Sequence, residues 1–360
     1  MGERLISIVL GTRPEIIKMS PVIRECGSRG LDYSLLHTGQ HYSYRMDRLF
    51  FDELELPRPS RNLDVRSGSQ GEQTGRMLMD IERVLVEDRP DMVLVQGDTN
   101  TVLAGALAAA KLHVPVGHVE AGLRSFDRNM PEEVNRVLAD HLSSLLFAPT
   151  EGAKRNLARE GIVQGVGVTG NTVVDAVRRH SLLARKSDVL ARWGLEPKNY
   201  LLATAHRQEN VDHAHRLKGI LEGLRRVGRE TSLPVLLAAH PRTRKQISAH
   251  GLPTEGVRVV DPQGYLDFLR LMDSASLILT DSGGVQEEAC ILGVPCVTLR
   301  ENTERPETVE VGANRLAGAD PDRILEAAVG MMRGGSWENP FGDGRASERI
   351  VDLVQESGWM

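Results

Sequence analysis

The chain has 360 residues, 41% of them hydrophobic and 26% charged, which is an ordinary globular balance at a length that calls for two domains rather than one core. Its net charge of −5 excludes a general nucleic-acid or membrane-surface binder, because neither polyanion is attracted, and 4% aromatic content leaves no platform for base stacking. Any anionic ligand must therefore be held by a local cluster.

A β-branched apolar run at 4–10 ends in Gly11-Thr12-Arg13-Pro14, and Ile16, Ile17, Met19, Val22 and Ile23 then recur at helical spacing over 15–24. Pro14 suits the first helical turn, and the unit brings Arg13 and Lys18 to the mouth of a site as two cations. A strand at 33–37 leads through Thr38-Gly39-Gln40-His41 to a helix whose Met46, Leu49, Phe50 and Phe51 read as core. The segment 58–73, marked by Pro59, Gly68 and Gly71, is the longest irregular stretch and a candidate lid. A helix over 72–87 precedes a strand at 92–96 that ends in Gly97-Asp98-Thr99-Asn100. A buried Ala- and Leu-rich helix at 101–112 precedes a strand at 114–119 that delivers Glu120-Ala121-Gly122-Leu123-Arg124. Glu132 and Glu133 open a helix running to 142, where the helix dipole alone accounts for at least one of them. A strand near 166–172 leads into another helix.

The charged, weakly periodic stretch 178–199 reads as the crossover, dividing a first domain, 1–175, from a second, 176–344. Strands at 200–204, 235–239, 257–260 and 277–280 and one from Pro295 to Thr298 follow, and helices at 321–333 and 345–357 close the chain. The segment 345–360 is expected to pack back on the first domain. Apolar strands alternating with helices predict an α/β protein of two Rossmann-like, doubly wound parallel sheets. Ligands in such sheets collect at the carboxyl ends of the strands, and those ends can face each other across a cleft.

Arg13, His37, Asp98 and Glu120 occupy strand ends in the first half, and His206 occupies one in the second. Ser282-Gly283-Gly284 joins a strand to a helix, so free N–H groups and the positive end of the dipole converge on a spot suited to phosphate. One turn on, Glu288 can reach back to a ribose diol; the ordinary alternative is a strand-to-helix turn with a solvated acidic start. Carboxylates, an imidazole and cations together suit acid–base chemistry with an anionic leaving group. His37, His118 and His240 read more readily as satisfied core histidines than as ligands. Cys26, Cys290 and Cys296 lack metal-type spacing and read as buried thiols in a reducing cytosol. No leader or membrane-length apolar run is evident, which points to a cytoplasmic protein.

GTRPEIIKMSPVI at 11–23, TGQH at 38–41, QGDTNT at 96–101, HVEAGLRS at 118–125, PEEVNR at 131–136, HRQEN at 206–210, TDSGGVQEEA at 280–289 and TERPET at 303–308 resemble, in order and spacing, the non-hydrolysing UDP-N-acetylglucosamine 2-epimerases. The resemblance implies a two-domain glycosyltransferase-B fold and a homodimer. It also implies inversion of carbon 2 of UDP-GlcNAc to UDP-ManNAc, without cofactor or metal, by elimination of UDP to 2-acetamidoglucal and re-addition, in service of surface polysaccharide or glycan synthesis. Asp98, Glu120, Glu132 and His206 match the catalytic positions, and Lys18 a further substrate position. Ser282, Gly283 and Gly284 would hold the diphosphate, Glu288 the ribose, Arg13 and Arg305 the nucleotide phosphates, and Gln263 and Phe268 the uracil. Gln40 and His41 match the element by which bacterial members bind a second UDP-GlcNAc as allosteric activator, although Tyr42-Ser43-Tyr44-Arg45-Met46 departs from those members. Other readings stay open: the same scaffold acting on UDP-2,3-diacetamido-glucuronate, hydrolysis to free ManNAc, or a glycosyltransferase.

Overall fold

The computed structural model describes residues 4–39 and 50–358. The chain divides into two compact units, Met1–Ala176 with Phe341–Met360, and Val177–Pro340.

The first unit contains β1 (Leu5–Leu10), β2 (Asp32–His37), β3 (Arg61–Asn62), β4 (Met92–Gln96), β5 (Val116–Val119), β6 (Leu145–Ala148) and β7 (Val166–Val168), all parallel, in the order β3-β2-β1-β4-β5-β6-β7. β4 is buried along its whole length, as a strand covered by helices on both faces must be. The order reverses between β1 and β4, so the loops after them diverge and leave a crevice at their carboxyl ends. β5 starts at Val116 rather than 114 because Pro115 has no N–H to donate and His113 takes a left-handed φ of 58°. The terminal helix Ala346–Glu356 packs on the helix Arg13–Ser28. Asp175 anchors its start by accepting from the N–H groups of Ala346 (3.2 Å) and Ser347 (2.9 Å).

The second unit contains β8 (Leu201–Thr204), β9 (Val235–Ala238), β10 (Val257–Val260), β11 (Leu277–Thr280), β12 (Cys296–Thr298) and β13 (Asn314–Leu316), parallel and ordered β10-β9-β8-β11-β12-β13. Alternate residues of β11 serve two cores. Leu277 and Leu279 pack with Leu217, Ile220 and Leu224 on one face, while Ile278 packs with Leu271 and Met272 on the other. Here the switch point lies between β8 and β11.

Three short strands escape periodicity. β6 and β13 were not anticipated, and β3 lies inside the segment expected to be an irregular lid. That segment is instead tied along β2: Ser60 N–H donates to Leu35 O, Leu63 N–H to His37 O, and Val65 N–H to Thr38 O, each at 2.9 Å. From Gln70 it is already helix, capped by the Ser69 hydroxyl. No helix among the described residues is long and apolar enough to cross a membrane.

Candidate active site

In the first unit the loops after β1, β4 and β5 build one polar cluster. Glu120 follows β5 in a left-handed conformation, φ 72°, which costs a non-glycine residue on the order of 1–3 kcal/mol unless its surroundings hold it. They do. Lys18, one turn into the first helix, donates from Nζ to both carboxylate oxygens of Glu120 at 2.8 Å, and the Gln96 amide donates to the same group. Gly122, φ 81°, completes the turn; a Cβ there would lie 2.4 Å from Ala153 O, so only glycine fits. Asp98 follows β4, paired with Arg136 while its side chain stays 34% exposed. Asn135 Nδ2 donates to Asp98 O at 3.0 Å.

Glu15 links two of these loops. It is buried, accepts from Gly11 N–H (2.5 Å) and Thr12 N–H (2.8 Å), and takes the Thr99 hydroxyl beside Asp98. Burial pushes its carboxyl up to about 7 despite those three hydrogen bonds. The adjacent Glu132 and Glu133 separate cleanly. Glu133 is buried and braces the preceding loop, accepting from Ser125 N–H (2.9 Å), Phe126 N–H (3.0 Å) and Arg136 Nη1 (3.1 Å). Glu132 is exposed in the first helical turn. Arg13 begins the first helix with its guanidinium 5.5 Å from the Phe50 ring centroid.

In the second unit His206 and the Ser282-Gly283-Gly284 turn meet at the switch point. Asp281, fully buried, accepts from His206 N–H (3.0 Å), Arg207 N–H (3.0 Å), Asn210 Nδ2 (3.0 Å) and His206 Nδ1 (2.9 Å). Burial alone would raise its carboxyl, but the hydrogen bonds and charge of His206 and its neighbours hold it below the usual carboxylate range. This fixes the proton on Nδ1 and leaves Nε2 for chemistry, as in other Asp–His pairs. His206, His240, Gln263, Phe268, Ser282 and Val285 line a cavity of about 240 Å3. The first intrahelical bond of the helix Gly283–Leu292 runs from Gln286 N–H to Ser282 O, 3.2 Å, so the N–H groups before it sit at a positive helix terminus. A Cβ on Gly284 would meet nothing within 4 Å. The fold itself therefore does not require glycine at that position.

The UDP-N-acetylglucosamine 2-epimerase family pattern matches residues 24–355. A UDP-N-acetylglucosamine 2-epimerase from Methanocaldococcus jannaschii is 53% identical over 359 residues, covering 97% of this chain and 98% of that protein. The chain belongs to the UDP-N-acetylglucosamine 2-epimerase family. The crystal structure of the M. jannaschii UDP-GlcNAc 2-epimerase in complex with UDP-GlcNAc and UDP matches with TM-score 0.90 at 54% identity, over 98% of this chain and 99% of that one. A Pseudomonas aeruginosa UDP-2,3-diacetamido-2,3-dideoxy-D-glucuronate 2-epimerase is 44% identical over 353 residues, 97% of this chain and 99% of that protein. The calicheamicin glycosyltransferase CalG4, at 15% identity and TM-score 0.54 over 99% of this chain and 96% of that one, shares the fold alone. The two doubly wound sheets are those of the glycosyltransferase-B fold.

Within this family member Lys18, Asp98 and Glu120 gather at the carboxyl end of the first sheet, and His206, Gln263, Phe268 and Ser282 around one cavity of the second. Arg305 is engaged by a carboxylate, donating from Nε to Glu287 at 2.6 Å, while Glu288 is half-buried. Gln40 and His41 lie outside the described residues. His37 and His118 are buried, His118 with both ring nitrogens in short contacts, whereas His240 is exposed and caps the helix Pro241–Ala249 by accepting from Arg242 N–H at 3.2 Å. A proline that starts a helix needs its cap just before it, which puts that histidine at the rim. For His37, burial lowers the imidazole to about 4, so it stays neutral. The three cysteines are buried and unbridged. Missed in the sequence were Asp281, Glu15 and Gln96. The only signal for Asp281 was its place immediately before the Ser-Gly-Gly turn.

Proposed function

We propose that the chain interconverts UDP-N-acetylglucosamine and UDP-N-acetylmannosamine. A carboxylate of the first unit removes the carbon 2 proton as the bond from carbon 1 to UDP breaks, giving 2-acetamidoglucal. UDP then re-adds at carbon 1 while a proton is delivered to carbon 2 from the opposite face. The sequence is redox-neutral and calls on no cofactor. Asp98, Glu120 and Glu132 are the proton-handling carboxylates, Lys18 holds Glu120 through both carboxylate oxygens, and His206 assists UDP in leaving. The Ser282-Gly283-Gly284 turn with Arg13 and Arg305 serves the phosphates, Glu288 the ribose, and Gln263 and Phe268 the uracil.

The observation that carries this is the pairing of a strained, buried Glu120 with Lys18 in one unit alongside an Asp-oriented His206 beside an N–H-rich turn in the other. Nucleotide binding alone needs neither. The same scaffold acting on UDP-2,3-diacetamido-glucuronate is the second reading, favoured by the 44% identity to the Pseudomonas enzyme. A cytoplasmic homodimer is proposed as well. Exposed Met79 and Val86 on the helix Gln70–Asp88 and Val134 and Leu138 on the helix Pro131–Leu142 are the apolar side chains such an interface would cover.

Proton NMR with UDP-GlcNAc in D2O tests the activity. Appearance of UDP-ManNAc deuterated at carbon 2, with little free UDP, is the expected result. Free ManNAc would instead indicate hydrolysis, and turnover only of the diacetamido-uronate would establish the second reading. Glu120→Gln should abolish carbon 2 exchange and leave UDP binding largely intact.

A further inference from the structure

His118 is used by none of the steps above, yet it lies between the two turns that carry Asp98 and Glu120. It sits on β5, fully buried, two residues before Glu120. Its Nδ1 is 2.7 Å from Asp140 Oδ1 and its Nε2 is 2.8 Å from the carbonyl oxygen of Gly97. A carbonyl oxygen only accepts, so Nε2 must carry a proton. Asp140 is also an acceptor: Oδ2 takes Arg124 Nη1 at 2.7 Å and Gly122 N–H at 3.1 Å, the arrangement of an ionised carboxylate. A neutral imidazole has one N–H and would leave one of these two short contacts between acceptors.

We infer that His118 is a buried imidazolium that positions the catalytic carboxylates, holding through Nε2–H the Gly97 carbonyl that sets Asp98, and through Nδ1–H and Asp140 the Gly122–Arg124 turn that sets Glu120. This rests on the roles proposed above for Asp98 and Glu120. The surrounding charges agree with it. Facing His118 are Asp140 from the helix Pro131–Leu142, the Gly97 carbonyl after β4 and, more distantly, Glu120 at the end of its own strand; Arg124 meets it only through Asp140 and continues to Glu160 at 2.6 and 2.8 Å. Burial pulls the imidazole down, but Asp140, the Gly97 carbonyl and Glu120 outweigh it and raise the group above its ordinary range. A rigid ring is the apt strut: its two N–H groups point in fixed divergent directions, so both turns are set without a rotatable bond between them. Glu120, whose left-handed φ of 72° is unfavourable on its own, is thereby kept in place by the turn after it as well as by Lys18.

The decisive measurement uses the full chain with 15N-labelled histidine. NMR should show both ring nitrogens of His118 protonated at pH 7.5 or so, above the ordinary histidine range; a single protonated nitrogen overturns the inference. This readout involves no substrate, so it stands or falls separately from the proposed epimerisation. Two variants then test positioning. His118→Gln retains a donor where Nε2 was and should keep carbon 2 deuterium exchange within about tenfold of the parent, whereas His118→Asn retains only the Nδ1-side donor and should lose about a hundredfold, with UDP affinity unchanged in both. Equal losses in the two, or His118→Ala exchanging within about threefold of the parent, would refute the positioning role. If these variants fail to fold, Asp140→Asn replaces them: it removes the charge opposite Nδ1, and the spectrum should change to a singly protonated ring with exchange reduced. Retention of both protons and full exchange in Asp140→Asn would equally overturn the inference.

Discussion

Replacing Asp281 with Asn isolates what the buried carboxylate does for His206. The carboxylate accepts from four donors at 2.9–3.0 Å, of which two are backbone N–H groups and one is the Asn210 amide, whose own oxygen is held by Arg216 at 3.1–3.2 Å. None of these three can reverse. The amide group of an asparagine must therefore turn its NH2 toward His206 Nδ1, the one partner able to become an acceptor. The ring then carries its one proton on Nε2 with Nδ1 tied up as an acceptor, and the imidazolium that would give its Nε2 proton to departing UDP loses its counter-charge. Removing general acid–base assistance of this kind lowers kcat by about 10²–10⁴, equivalent to about 3–5 kcal/mol of barrier. The backbone and Asn210 donors keep the other oxygen at 3.0 Å, so only the second, 3.1 Å contact of His206 N–H is lost, costing at most about 0.5–1.5 kcal/mol of stability. The assay is UDP-GlcNAc turnover by NMR beside UDP affinity by calorimetry and the His206 ring 15N spectrum. UDP affinity should stay within about threefold, because the Ser-Gly-Gly turn is untouched. A kcat within about threefold of the parent, with the proton still on Nδ1, would refute the reasoning.

The remaining predictions concern other parts of the site. Glu15 has a folded-state value of about 7 against an ordinary 4.5, so the stability it contributes is fully present below about pH 4.5 and is lost as pH rises through 7. Glu15→Gln should flatten that part of the stability curve by on the order of 3 kcal/mol, read from denaturant titrations at pH 5 and pH 8; an unaltered slope would count against it. Asp281 and Glu304, both held low, act in the opposite direction and only below about pH 4.5. Gly284→Ala adds a Cβ that meets no protein atom, so thermal stability should hold or rise slightly while UDP affinity falls at least about tenfold; unchanged affinity would remove the turn from phosphate binding. Glu133→Ala should cost about 2–4 kcal/mol in denaturant unfolding because several donors of the preceding loop lose their acceptor, whereas Glu132→Ala should leave stability within about 0.5 kcal/mol and depress carbon 2 exchange. The reverse pattern would exchange the two assignments.

Much of the molecule was legible because its signals are local. Apolar runs of strand length followed by helical periodicity announced β1, β4, β8 and β11, and the polar residues at their ends followed from the chain order alone. The Ser-Gly-Gly turn was visible because strand, glycines and helix are contiguous. β3 and β13, two and three residues long, have no period to detect and exist only because a neighbouring strand offers hydrogen bonds. The site divides in the same way. Residue types at strand ends were determined by the sequence, but which carboxylate is buried and which charge it meets were decided by contacts across long separations: Lys18 with Glu120, 102 residues apart, and His206 with Asp281, 75 apart. The left-handed turn at Glu120 is likewise unreadable from its neighbours, since a glutamate has no intrinsic preference for φ 72° and is held in it by distant partners that include Lys18 and Gln96. The sequence by itself determined the chemistry available. Burial and long-range pairing, which depend on the packed sheets and on no short stretch of chain, decided which groups are buried and braced and which stay open to solvent.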